Sequence, residues 1–281
     1  MIDTHVHFWK YDKVKDAWIT DDMKMLQKDF LPHDLFPVLK ENNIEGVIAV
    51  QADQSENENN FLIALAETNP FIKGIVGWVD FQNKNIENRL LYYSKFSIVK
   101  GFRHIVQAEP AGFLKNKNFL EGIGLLRKYN FTYDILVYEN QLQEVIQFVK
   151  KFPGQKCMID HCAKPNVKLK SVDAWKKAIE EIAGFDNVYC KLSGLTTEAD
   201  WTSWKEEDFY PYFDCVTKAF GTARLVFGSD WPVVNISGGY LIWKNLVENY
   251  MRNFSAEDNE KVFKKNAIEF YNLSEIGGHN E

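Results

Sequence analysis

Cysteine is scarce and unpatterned here: the four residues, at 157, 162, 190 and 215, include no C-x-x-C pair. Finger or ribbon zinc sites are therefore not expected, and the four read as reduced, buried small hydrophobes of a cytoplasmic protein. Long apolar runs are missing too, none approaching the ~18 residues a spanning helix needs. Met1–His7 already reads as a strand carrying function, with no charged segment and apolar core ahead of it, so a signal peptide is not expected. Basic clusters are absent: 33 basic against 39 acidic residues give a net charge of -6. That excludes a nucleic-acid groove or an anionic membrane surface as partner. No G-x-G-x-x-G or G-x-x-x-x-G-K-[ST] occurs, and Gly228-Ser229-Asp230 is not a G-x-S-x-G elbow. Dinucleotide, phosphate-loop and serine-nucleophile chemistry are not indicated. With no fixed-period repeat, low-complexity stretch or Ser/Gly linker, the chain reads as one domain over residues 1–281.

Eight short, Val- and Ile-rich runs are present: Met1–His7, Ile44–Asp53, Ile72–Asp80, Val99–Val106, Phe131–Tyr138, Lys156–Pro165, Val188–Leu195 and Arg224–Pro232. Most are too short for helices and end in polar residues, Gly or Pro, as strands do. Helical periodicity fills the gaps. Ser55 and Glu58 form a capping box for a helix through Thr68, with Phe61, Leu62, Leu65 and Ala66 on one face. Ser255 and Asp258 open the last helix, where Val262, Phe263, Ile268 and Phe270 are packing residues; Gln141–Phe152 and Asp173–Ala183 are helical as well. Strands alternating with helices pair in parallel through crossovers. Eight units predict an α/β fold, a single-domain (β/α)8 TIM barrel, with a doubly wound eight-stranded sheet as the alternative.

In a barrel the chemistry sits at the carboxyl ends of the strands. The first run ends in His5-x-His7, whose side chains share one face, with Asp3 on the same face one layer deeper. The sixth ends in Asp160-His161 and the eighth in Ser229-Asp230, the latter an aspartate costly to bury unless paired or metal-bound. A lone His161 would ordinarily be structural and a lone Asp230 a helix cap. Closure brings strand eight beside strand one, so His5, His7, His161 and Asp230 form a joint signal. The fourth run adds Arg103-His104, the fifth Tyr133-Asp134, and Lys164 follows His161. An arginine at the mouth suits a carboxylate or developing oxyanion, though a surface ion pair is the competing role. Two long loops, Phe8–Leu31 with Trp9, Tyr11 and Trp18 and Thr196–Pro211 with Trp201, Trp204 and Tyr210, leave strand ends as a lid, sugar-stacking walls or packed cover.

These residues resemble the amidohydrolase superfamily, and within it the sugar-lactonase branch of L-fuconolactonase-like and L-rhamnonolactonase-like enzymes. The strings carrying the resemblance include Ile2-Asp-Thr-His-Val-His-Phe-Trp9, Trp18-Ile-Thr-Asp-Asp-Met23, Val50-Gln-Ala-Asp-Gln-Ser55, Gly101-Phe-Arg-His104, Asp160-His-Cys-Ala-Lys-Pro165, Cys190-Lys-Leu-Ser-Gly194, Thr197-Glu-Ala-Asp-Trp201 and Phe227-Gly-Ser-Asp-Trp-Pro232. The L-fuconolactonase-like pattern fits best. The resemblance implies opening of an aldonolactone to its aldonic acid, with His5, His7, His161 and Asp230 as the central site and Arg103, His104 and Asp134 lining the sugar pocket. Lys164, Trp18 and Trp231, which stand in the matching strings, are read as further substrate contacts. Many members carry a bridging Lys or carboxylate in strand four and a His in strand five. Arg103-His104 and Tyr133-Asp134 stand there instead, so a binuclear centre is not expected.

The expected mechanism has Asp230 taking a proton from the attacking water. Zinc or another divalent cation is expected on His5, His7 and Asp230 with His161 nearby, without turnover strictly depending on it. Without metal, His161, Arg103 and His104 would stabilise the oxyanion, and His161 or His104 would return a proton to the ring oxygen. The partner is a small sugar lactone, with a homo-oligomer left open. Two alternatives stand beside this reading: a mononuclear-metal deaminase or decarboxylase, and a non-catalytic sugar-acid binder.

Overall fold

The computed structural model describes residues 1–170 and 172–274. Eight parallel strands follow one another round a barrel in chain order: β1 (Ile2–Val6), β2 (Gly46–Val50), β3 (Ile72–Gly77), β4 (Val99–His104), β5 (Thr132–Ile135), β6 (Cys157–Ile159), β7 (Val188–Leu192) and β8 (Leu225–Phe227). Each strand forms near the start of its β-branched run, and the rest of the run becomes the loop that carries function. The crossover helices are α1 (Pro32–Glu41), α2 (Glu56–Thr68), α3 (Ile86–Tyr93), α4 (Lys117–Ile123), α5 (Leu142–Lys151), α6 (Asp173–Ala183) and α7 (Tyr210–Phe220), with α8 (Tyr240–Met251) after β8. This is the (β/α)8 barrel, and the doubly wound alternative falls. Closure runs through β1 and β8: Thr4 Oγ1 donates to Phe227 O at 2.6 Å, Asp230 N to His5 O at 2.8 Å and His7 N to Trp231 O at 2.7 Å.

Alternation along the strands sorts residues into two cores. Val6, Val47, Ile75, Phe102, Tyr133 and Leu192 face the helices. Ile2, Ile48, Val76, Met158 and Val226 fill the lower barrel, closed from below by Ala267, Phe270 and Tyr271 of the C-terminal segment. That segment runs through α9 (Ala256–Glu260), a π turn (Lys261–Lys265) and α10 (Asn266–Phe270), and Lys100 and Lys156 donate to its Asn272 and Glu269 carbonyls. Ser55 caps α2 as expected, accepting from Glu58 N at 3.3 Å. Glu58 does not close the box, however: its carboxylate accepts from Ala52 N instead, and Glu58, Asn59, Leu62 and Ile63 form the buried face. In β1 the pairing register slips between Asp3 and Val6. That slip breaks simple alternation, so Asp3 leaves the histidine face; it accepts from His5 N and Ser229 N and orients no ring.

Candidate active site

Three strand ends build the site. His7 follows β1, with Nδ1 against Val50 O at 2.8 Å, which fixes the tautomer and turns the Nε2 lone pair inward. His5 Nε2 lies 3.1 Å from that atom. After β6 the chain enters a left-handed turn, His161, Cys162, Ala163 and Lys164 having φ of 52°, 52°, 58° and 45°. Each such L-residue costs roughly 1–2 kcal/mol. The turn is held by Trp175 Nε1 donating to Cys162 O at 2.8 Å, and it aims both His161 and Lys164 at the cavity. His161 Nδ1 meets Ser193 Oγ at 2.8 Å. Gly194, at φ +65°, is required beside it, because a Cβ there would stand 2.5 Å from His161 Nδ1. Asp230, also left-handed at φ 62°, follows β8. Its Oδ1 is 3.4 Å from His7 Nε2, 3.7 Å from His5 Nε2 and 4.0 Å from His161 Nε2. The expected joint cluster therefore forms.

Electrostatics separates the members. Burial alone would raise the Asp230 carboxyl, but His161, His7 and His5 outweigh it and hold it well below the ordinary carboxylate range. Burial lowers the His161 imidazole to about 4, so it is neutral near pH 7. His5 is lowered as well, by burial and then by Lys191.

Beneath the cluster lies a dry ionic layer that sequence reading overlooked. Lys191, fully buried on β7, places Nζ 3.1 Å from His5 Nδ1, 3.0 Å from Asp134 and 2.9 Å from Asp160. Arg103 donates to Asp160 Oδ2 at 3.1 Å and to Gln51 O at 2.7 Å, with Nη1 3.3 Å from His5 Nε2. Burial would lower the Lys191 ammonium, but Asp134 and Asp160 raise it above its usual value. A single lysine inside the apolar run Val188-Tyr-Cys-Lys-Leu192 was the available signal, since a charge on an inward strand position must be paired.

A cavity of about 490 Å³ opens above, lined by His7, His161, Asp230 and Arg103 below and by Lys164, Glu198, Trp18 and Trp201 around the wall. The aromatic loops divide: Trp18 and Trp201 reach the cavity, whereas Trp9 is buried with Nε1 donating to Lys28 O and Trp204 packs on Phe209. Three expected contacts are corrected. His104 points to the helix side, because alternation on β4 lets only Arg103 face inward. Its ring lies between Trp78 Nε1 at 3.2 Å and Glu109 at 2.8 Å, stacked on Phe113. Asp134 faces inward but a layer too deep, bound to Lys191 and accepting from Tyr271 at 2.8 Å. Trp231 is buried against Phe8 and Phe30 and does not line the cavity. Lys164 does line it, 3.4 Å from Glu198.

The donor set fits a divalent cation. The separations of 3.1, 3.4, 3.7 and 4.0 Å are close to the edges, about 3.3 Å, of a tetrahedron with zinc–nitrogen bonds of 2.0–2.1 Å. His5 Nδ1 faces Lys191 Nζ at 3.1 Å and Asp160 Oδ1 at 3.5 Å, and that oxygen is itself 2.9 Å from the same ammonium; coordination through His5 Nε2 would require the Nδ1 proton to turn to Asp160 rather than Nδ1 accepting from Lys191. Among the described residues, His5, His161 and Asp230 bring one ligand atom each within 4.8 Å of one another, a group that does not include His7.

The amidohydrolase family model matches residues 2–273. An L-fucono-1,5-lactonase of Burkholderia multivorans is 34% identical, covering 98% of this chain and 96% of its own length. A second L-fucono-1,5-lactonase, from Burkholderia ambifaria, is 30% identical over 99% and 97%. The crystal structure of a Burkholderia multivorans amidohydrolase with bound zinc superposes with a TM-score of 0.94 at 33% identity, covering 97% of this chain and 99% of that one.

Proposed function

The chain belongs to the amidohydrolase family, and we propose that it hydrolyses a sugar lactone, of six-carbon or 6-deoxy L-fuconolactone type, to the aldonic acid. The reading is carried by the convergence of Asp230, His7, His161 and Arg103 on one sugar-sized cavity. Chain-long similarity to two L-fucono-1,5-lactonases supports the substrate class.

Asp230 is the general base, kept ionised at neutral pH by the three imidazoles. It takes a proton from a water that attacks the lactone carbonyl. Arg103, tied to Asp160 and Gln51, supplies a fixed positive floor, and neutral His161 offers a hydrogen bond, so charge developing on the carbonyl oxygen meets preorganised donors. Lys164 and Trp18 hold the sugar from the wall, the tryptophan by stacking on an apolar ring face. Zinc or another divalent cation would be held by His5, His7, His161 and Asp230, and when bound it polarises the carbonyl and acidifies water. The protein's own residues position the reactants in either case.

The test is a panel of 1,4- and 1,5-aldonolactones followed with a pH indicator, with and without chelator. Acid release with an L-fucono- or L-rhamnono-lactone preference supports the proposal. Binding without acid release, or release of ammonia or carbon dioxide from other substrates, overturns it.

A further inference from the structure

Breaking a lactone ring expels an alkoxide, which departs faster when a general acid protonates it as the bond breaks. At the cavity floor Asp230 already serves as the base, and the three imidazoles face its carboxylate at 3.4, 3.7 and 4.0 Å. The wall opposite is different. Glu198 ends a short 3-10 turn (Leu195–Glu198) after β7, rigidly held by Thr197 Oγ1 donating to Gly194 O at 2.7 Å and Trp201 Nε1 donating to Thr197 O at 2.9 Å. It lines the inner cavity, and it also lines an outer compartment of about 790 Å³ that opens to solvent. The two share Tyr138, Lys164, Thr197, Glu198 and Trp201, so Glu198 stands at the passage between the reacting lactone and bulk water.

Building on the lactonase reading, we propose that Glu198 is the general acid of ring opening, donating the proton that turns the expelled ring oxygen into a hydroxyl. Two carboxyls line one cavity in opposed environments, which is how a fold separates an acid from a base. Burial raises the Glu198 carboxyl; the Lys164 ammonium opposes this, and the Asp230 and Glu139 carboxylates add to it. Lys168, Asp200 and Asp22 line the outer compartment with it, and Arg103 the inner one.

The step balances. Asp230 takes one proton from water as the water oxygen bonds the carbonyl carbon, and the carbonyl pair moves onto its oxygen. Collapse re-forms that double bond and breaks the bond to the ring oxygen, whose electron pair takes the Glu198 proton. Glu198, now a carboxylate beside Lys164, reloads from solvent through the outer compartment. Asp230 releases its proton as the product acid ionises, so each lactone and water yield one carboxylate and one free proton.

The test is the pH profile of kcat on the best lactone of the panel for wild type, Glu198→Gln and Lys164→Met, with melting temperatures as the folding control. In wild type, activity falls at high pH as the acid deprotonates. Glu198→Gln should lose about 10²-fold or more in kcat with KM changed only a few-fold, and the basic limb should vanish. Lys164→Met retains Glu198 without its cation, so the limb should move to higher pH; this arm stands even if Glu198→Gln fails to fold. A Glu198→Gln kcat within about threefold of wild type, or a basic limb unchanged in either variant, overturns the proposal. Wild-type inactivity on every lactone would instead sink the lactonase reading.

Discussion

Below Lys191 the barrel interior is hydrocarbon, with Ile2, Ile48, Val76, Met158 and Val226 packed on Phe270 and Tyr271. One layer higher, with the same exclusion of water, stand Lys191, Asp134, Asp160, Arg103 and His5, none more than 3% exposed. The lower half is what folding alone would choose, because buried ion networks are commonly no more stabilising than apolar residues of equal volume. The upper half is explained by what rests on it. It fixes the His5 ring and holds the Arg103 guanidinium at the cavity floor, and the left-handed turn at His161–Lys164 adds backbone strain at the same level.

Several substitutions would break or sharpen that contrast. Lys191→Met strands Asp134 and Asp160 without their cation, and unfolding in urea should show a loss of about 3–5 kcal/mol. A loss no larger than that of Met158→Leu in the lower half, under about 1.5 kcal/mol, would erase the distinction. Zinc at about 100 times its dissociation constant should raise stability by about 2.7 kcal/mol in wild type and far less in His7→Asn. Equal gains in calorimetric scans would put the ion elsewhere. Gly194→Ala should cost about 1–2 kcal/mol from its left-handed backbone and also lower turnover, since the new methyl pushes on His161. Tyr271→Phe removes only the hydroxyl that reaches up from the plug to Asp134, and should cost about 1 kcal/mol with activity retained.

Repetition made the fold readable: eight β-branched runs separated by helical periodicity leave few closed arrangements. The His5, His7, His161 and Asp230 set was readable because all four sit at strand ends, where closure alone brings them together. His104 was misplaced for want of one check, that Arg103 and its neighbour cannot share a face of β4. The slip in β1 that turns Asp3 away is set by pairing with β2 and β8, which local sequence does not encode. Lys191 and Glu198 stood inside matched strings, but their roles depend on partners from β5, β6 and the β6 loop, distances that spacing along the chain does not supply.

The most direct measurement is acid release from L-fucono-1,5-lactone by wild type and by Asp230→Asn, with circular dichroism confirming that both are folded. The account predicts rapid release by wild type and a fall of about 10³-fold in the variant. A folded Asp230→Asn protein that releases acid within about tenfold of the wild-type rate would contradict it.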